Sequence, residues 1–462
     1  MMRALYSGVS GLKVHQTKMD VIGNNISNVN TVGFKSSSVT FTDILYQTTQ
    51  NASGPNAATG TVGKNAMQIG LGSSVGAITS NMSTGSTQRT DNALDLMING
   101  DAFFIVNDGN SNYFTKAGSF TTDANGTLCT STGLAVMGWL PNKEGTGIDV
   151  DTVKRLDVMS AENKYTAPEA TSKAHLSGNI DPSDKQLKDG RDVTIPIYDD
   201  KGNKYTVVLT LKQDTTATTG ASTIYDCTLK DILNMDGKSI KKSTENPAGY
   251  DNITFGDNGT AKIHFDGANG KFLGVGTTVD AKDPTKNATT ALLKIQADPN
   301  PFADDGISID FSELTQYATK GVSTVEGQRG ASSTSTAGAG KAVGNMSGLS
   351  IDESGKIYGS YDNGDKKLLG QIAVATFANP SGLEAVGNSM FSATLNSGEF
   401  NGIGKEISAV GGSLTSGVLE MSNVDLANEF TELIVAQRGY QANSRIITTS
   451  DTLLEELINL KR

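Results

Sequence analysis

Near the start of the chain, apolar residues recur every seven positions at Leu5, Leu12, Met19 and Ile26, with Met2 and Val9 interleaved and Ile22 beside them. That spacing predicts a helix with a heptad seam over residues 1–30. A second heptad series, Leu426, Leu433, Tyr440, Ile447 and Leu454, runs through residues 416–462. Phe430 and Ile458 follow members of that series by four positions, and Ile434, Leu453 and Leu457 spread the apolar character over more than one face. Helices with apolar surface on several sides need several partners, so the two ends are expected to pair with each other and with neighbouring copies.

Between these arms the period drops to two. Residues 31–92 are rich in Ser, Thr, Asn and Gly with single scattered apolars, and read as an irregular, partly extended connector. From residue 93 to 170, short strands alternate with turn signals such as Asn107-Asp108-Gly109 and Asp123-Ala124-Asn125-Gly126. A matching passage at 345–415 implies one inner β-domain built from two segments, with an outer β-domain inserted at 171–328. The run 329–344, with little to bury, reads as a flexible return linker. The expected fold is therefore α+β and multidomain, its terminal helices pairing as a coiled-coil-like arm with nested, mainly β domains between them.

Composition supports turn-rich β-structure, with 52 Gly against only 10 Pro. A net charge of −11 disfavours a hold on phosphate backbones or anionic lipid, so no nucleic-acid partner is expected. No apolar run is long enough to span a membrane, and the first twenty residues lack the unbroken apolar stretch of a cleavable signal. Membrane insertion is not expected, nor is export by the general route.

Candidate chemistry is sparse. Cys129 and Cys227 lie far apart, which gives neither a disulfide framework nor a metal-ligand pair. His15, His175 and His264 have no ligand at metal spacing; His15 falls on the polar side of the first helix in the heptad reading. Gly237-Lys238-Ser239 resembles the end of a phosphate loop, but Ile232 stands where the earlier Gly is required. No catalytic, cofactor-binding or metal-binding residue is expected. A β-rich surface adhesin and a hydrolase without a motif are the readings left from other functional classes.

Four stretches together narrow the field: SGVSGLKVHQTKMDVIGNNISNVNTVGFK, NGDAFFIVNDG with FTKAGSF, FANPSGLEAVGNSMF, and SNVDLANEFTELIVAQRGYQANSRIITTSDTLLEELINLKR. They resemble the bacterial flagellar axial proteins, and within that group the length and the GQIAVATFANPSGL passage resemble hook rather than distal rod proteins. The resemblance covers residues 1 to about 160 and about 345 to 462. It implies a structural subunit without enzymatic activity, exported by the flagellar type III machinery with no cleaved signal. It also implies polymerisation into a curved, flexible hollow tube outside the cell, in company with rod, hook-cap and hook–filament junction proteins. Asn24, Asn25, Asn28, Thr31, Gly33, Phe34 and Lys35 fall on the family's most characteristic motif. In this reading Gly and the Asn cluster turn the chain out of the arm and Phe34 anchors it. The resemblance further implies that the covalent Cys–Lys cross-link of spirochaete hooks is absent, since Ser177 or a neighbour takes the place of that Cys.

Overall fold

The computed structural model describes residues 2–55, 60, 62–142, 147–215, 222–242, 249–250, 252–280, 283–296 and 300–460, the side chain of Leu457 excepted. The chain divides into two compact units, one made of 1–163, 348–359 and 366–462, the other of 164–347 and 360–365.

The first unit contains both terminal helices, Met2–Ser27 and Leu426–Asn459. The second begins at an N-cap, where the Asp425 carboxylate accepts from Ala427 N at 2.9 Å and Glu429 adds negative charge to the first turn. The first ends where Thr31 to Lys35 turn the chain back, with Gly33 in the left-handed region at φ 68°. Asn24 and Asn25 stay helical, while Asn28 opens the turn that follows the helix and Gly33 completes it, so the turn expected of Gly and the Asn cluster falls to these two residues of the motif.

Residues 31–92 are not an irregular connector. Ser37–Asp43 pairs antiparallel with Ser73–Ser80, and Tyr46–Gln50 with Met67–Gly70, forming one long two-stranded ribbon. The near end of this ribbon lies along the N-terminal helix, where Phe41 meets His15 edge-on at 6.0 Å and Ser73 N donates to Ser10 Oγ at 3.3 Å.

The inner β-body draws strands from two distant segments. Phe103–Asn107 pairs with Asn112–Thr115, Ala135–Trp139 and Val374–Ala375; Met390–Ser392 joins Asn112–Thr115. Phe103, Ile105, Phe114, Trp139, Ala373 and Phe391 share its core, and Phe114 meets Phe377 edge-on at 4.7 Å. The Trp139 indole N–H reaches the carbonyls of Asp151 and Ile403, each at 2.9 Å, so its burial leaves no donor unsatisfied. Turn chemistry works as the sequence suggests. The Asp123 carboxylate caps the amides of Asn125 and Thr127, and Asp352 those of Ser354 and Lys356, with Gly126 and Gly355 at φ 86° and 83°.

The second unit is a β-sandwich. One sheet orders its strands as Asn252–Phe255, Thr290–Gln296, Ile307–Thr315, Lys173–Asn179 and Glu326–Arg329; the other runs from Arg191–Tyr198 through Lys204–Gln213, Ser222–Leu233 and Thr260–Asp266 to Phe272–Val275. Alternate residues, among them Leu176, Ile195, Leu209, Tyr225, Phe265 and Leu293, close one core between the sheets. Cys227 lies in that core, where burial pushes its thiol pKa upward, while Cys129 is half-buried in the first unit.

Residues 329–344 differ from the expected flexible linker. Ser172 N donates to Gly338 O at 3.0 Å, Thr171 Oγ1 to Ala339 O at 3.0 Å, and Glu169 bridges Lys341. A little further on, Tyr165–Thr166 pairs antiparallel with Gly344–Asn345. The outgoing and returning segments therefore run side by side. Backbone hydrogen bonds hold them, so a composition with little to bury still forms defined structure.

Candidate functional site

The two terminal helices lie antiparallel: His15 faces Gly439, Gly11 faces Asn443, and Gly8 faces Ile447. Their seam is not the heptad of large apolars. Gly8, Gly11, Val14, Ile22 and Asn25 are the buried positions on the N-terminal helix, and Ala436 and Ser450 those on the C-terminal one. Glycine brings the backbones close enough that side chains of the opposite helix fill the gaps. A Cβ on Gly11 would stand 2.7 Å from Asn443 Nδ2, and one on Gly439 would stand 2.6 Å from His15 Cε1. His15 is thus a seam residue and not the polar-face histidine of the sequence reading.

Polar links fix the register. Lys18 Nζ lies 3.1 Å from Glu432, and Asn25 Nδ2 donates both to Glu429 Oε1 at 2.9 Å and to Ser37 O at 2.8 Å. Ser37 N returns a bond to Asn25 Oδ1, so this one buried amide joins both helices and the ribbon. Burial raises the Glu429 pKa and the Asn25 bond opposes that shift.

The predicted apolar series lands beside the seam or facing outward. Leu5, Leu12, Met19 and Ile26 are half-buried, Ile22 is buried, and Val9 is exposed. On the C-terminal helix, Leu433, Ile447 and Leu454 are half-buried, whereas Leu426, Phe430, Ile434, Tyr440, Leu453 and Ile458 are exposed. The Leu457 side chain lies outside the described residues. Tyr6 at 69 % and Phe430 at 49 % exposure show how much apolar surface the paired helices leave uncovered. A single chain thus satisfies the narrow seam and leaves the broad stripes open.

The motif after the arm closes onto the body. Asn28 Nδ2 bonds Asn24 O at 2.9 Å, and Thr31 Oγ1 bonds Asn28 Oδ1 at 3.1 Å. Phe34 is half-buried, and Gly33 is pressed so closely on Ala117 that a Cβ would lie 2.5 Å from its amide nitrogen. Lys35 is buried, its Nζ 2.6 Å from Glu420 Oε1 and 2.7 Å from Ser83 O. Sequence reasoning missed Glu420, a lone carboxylate in a short strand with no pattern around it. It missed Lys116 as well, whose buried Nζ donates to Gly100 O at 2.6 Å and sits over the Phe103 ring.

Lys116 gives a measurable signature. Burial pulls its pKa down to about 8 from 10.5, Glu420 opposing that shift and Lys35 adding to it. The folded state therefore carries a costly buried ammonium below pH 8, worth roughly 3 kcal/mol at 1.36 kcal/mol per unit. Between pH 8 and about 10.5 the folded chain sheds this proton before the unfolded chain does, and the cost disappears. Thermal unfolding is expected to show stability rising across that window relative to a Lys116→Met variant. Parallel pH profiles for the two proteins would refute the assignment.

Among the described residues, no three His, Cys, Asp or Glu side chains gather as a metal site. No helix among them is long and apolar enough to cross a membrane.

Comparison with known proteins accounts for the whole chain. The family described as "Flagella basal body rod protein" matches residues 5–35, and "Flagellar basal body rod FlgEFG protein C-terminal" matches 415–460. "Flagellar hook protein FlgE/F/G D1 domain" matches 97–170. "Flagellar basal body protein FlaE D2 domain" matches 162–331, a stretch over most of which the resemblance read from the sequence is weak. The flagellar hook protein FlgE of Borreliella burgdorferi is 35% identical over 100% of both chains, and that of Treponema pallidum 32% over 100% of both. The flagellar basal-body rod protein FlgG of Bacillus subtilis is 30% identical, again over 100% of both chains. Arms, inner β-body and inserted sandwich are each matched in their expected order, and relatives align from end to end: the chain belongs to the flagellar hook and rod protein family.

Proposed function

We propose that this protein is the structural subunit of a flagellar hook, assembling head-to-tail into a curved, flexible tube that transmits torque from rod to filament. The observation that carries the reading is the pair of seamed terminal helices whose remaining apolar rows, from Met2, Tyr6 and Val9 on one helix to Phe430, Ile434, Leu453 and Ile458 on the other, stay exposed in the single chain. Rows of this length bury themselves only against further copies, and repetition of such a heterologous contact gives an open helical array. Leu5, Val9, Leu12, Met19 and Ile26 on one helix, and Leu426, Phe430, Leu433, Ile434, Tyr440, Ile447, Leu453, Leu454, Leu457 and Ile458 on the other, then form the assembly interface, while Ile22 supports them from its buried place within the single chain. Contacts between the β-domains of neighbouring copies slide as the tube bends. The partners are further copies of the chain, the rod, the hook cap, the hook–filament junction proteins and the type III export machinery. The work is mechanical and requires no catalytic centre.

The full-length match to a basal-body rod protein favours one alternative, a distal rod subunit with the same arms in a straight tube. Electron microscopy of the polymerised full chain separates the two. Curved tubes are expected; straight tubes would favour the rod, and failure to polymerise under any condition would overturn both.

A further inference from the structure

The point where both chain ends rejoin the inner β-body is held by one buried ion pair. Lys35 lies eight positions after the last residue of the N-terminal helix, Ser27, and Glu420 six before the first of the C-terminal helix, Leu426. Their side chains are 1% and 0% exposed, with Nζ and Oε1 2.6 Å apart. Three segments far apart in sequence converge on them. Lys35 Nζ also donates to Ser83 O at 2.7 Å, and Glu420 Oε1 also accepts from Gly85 N at 2.9 Å. Backbone bonds run from Gly33 N to Glu420 O and from Met421 N to Ser86 O, each 2.8 Å. The Asn423 amide joins Ser36 N at 2.8 Å to Asn81 O at 2.8 Å. Glu420 Oε2 is buried and has no hydrogen-bond partner among the described atoms.

Such a pair is an expensive way to gain stability. Desolvating two charges offsets most of their attraction, and a well-packed apolar replacement is often as stable or more so. What the pair does supply is direction, because Glu420 Oε1 meets both Lys35 Nζ and Gly85 N only when the 33–36, 83–86 and 420–423 segments come together in one arrangement. Apolar side chains there tolerate small slips, whereas an unpaired buried charge does not.

We propose that the Lys35–Glu420 pair is a geometric latch, fixing the angle at which the two terminal helices leave the inner β-body and thereby setting the shape of the assembled tube rather than the stability of the subunit. This deepens the reading of the chain as a tube-forming subunit and rests on it. It also gives Lys35, the last residue of the motif after the arm, a role its position in the sequence does not disclose. A small error in the exit angle repeats in every subunit of a helical array, so loss of the latch acts on the polymer far more than on the monomer.

The test uses the full chain with the double substitution Lys35→Met and Glu420→Gln, which removes both charges and keeps an acceptor for Gly85 N–H. A second variant, Lys35→Met with Glu420→Leu, removes the polar groups entirely. Thermal unfolding of the monomers and electron microscopy of polymers are compared with the unsubstituted protein. Expected is an unfolding temperature unchanged or raised, together with loss of the uniform helical repeat and curvature. Tubes indistinguishable from those of the parent would overturn the latch while leaving the tube-forming role intact. Loss of cooperative unfolding in both variants would overturn it too, by showing the pair to be a stability element. Absence of tubes from the parent would instead remove the functional reading beneath it.

Discussion

Deletion of residues 425–462 is expected to give a soluble chain that keeps its β-domains and forms no tubes. The deleted helix contributes nothing to the core of the inner β-body, which is built from residues between 103 and 400, nor to the sandwich of 164–347. It does hold Leu426, Phe430, Ile434, Tyr440, Ile446, Leu453 and Ile458, all exposed in the single chain. A fully buried side chain of this kind stabilises by about 1.5 to 3 kcal/mol, so these seven, covered only halfway by neighbours, contribute roughly 5 to 10 kcal/mol per subunit. At about 1.4 kcal/mol per tenfold, loss of that amount raises the concentration needed for polymerisation more than a thousandfold. Circular dichroism should retain its β signal while sedimentation shows monomer at every accessible concentration. Tubes growing from the truncated chain would place the assembly contacts elsewhere.

Substitution of Gly439 by Leu is expected to have the next largest effect, with only one residue altered. His15 fills the space that a side chain at 439 would need, and the Phe41 ring on the ribbon stands edge-on to that imidazole. The ribbon thus limits how far His15 can withdraw from a side chain at 439. Overpacking of this sort costs about 1 to 3 kcal/mol, roughly a tenfold to hundredfold loss in the pairing equilibrium of the two helices. Hydrogen exchange reports it directly: amides of 2–27 and 426–459 should exchange faster in the variant, while those of the sandwich remain unchanged. Equal protection of the helices in both proteins would mean that the glycine notch does not govern their pairing.

The Gly notch also explains what the sequence disclosed and what it concealed. Alternation in Arg191–Tyr198 and Thr290–Gln296 translates directly into buried and exposed residues, because each strand has one face on a core and one in water. The heptads of Leu5 and Leu426 correctly announced two helices and surplus apolar surface. They located only part of the seam: Ile22 and Ile447 lie in it, but Gly8, Gly11, Ala436, Asn443 and Ser450, which make up most of the rest, carry almost no hydrophobic signal. The ribbon of 37–80 escaped for a related reason. Tyr46–Gln50 and Met67–Gly70 are exposed throughout, so no alternation marks them as strands. The links among Lys35, Ser83 and Glu420 span nearly the whole chain, and no local pattern encodes them.

The neck of the inserted sandwich has a consequence for how such chains change over time. Since Glu169 pairs with Lys341, and Tyr165–Thr166 with Gly344–Asn345, the two ends of the insertion are already brought together by hydrogen bonds before anything beyond them is considered. Closing a loop between fixed neighbours costs little more entropy when the loop is lengthened, about 0.6 kcal/mol per doubling. The neck thus behaves as a socket. A larger, smaller or wholly different module with adjacent termini can be exchanged into it at slight thermodynamic expense, leaving the terminal helices under separate selection from the inserted module.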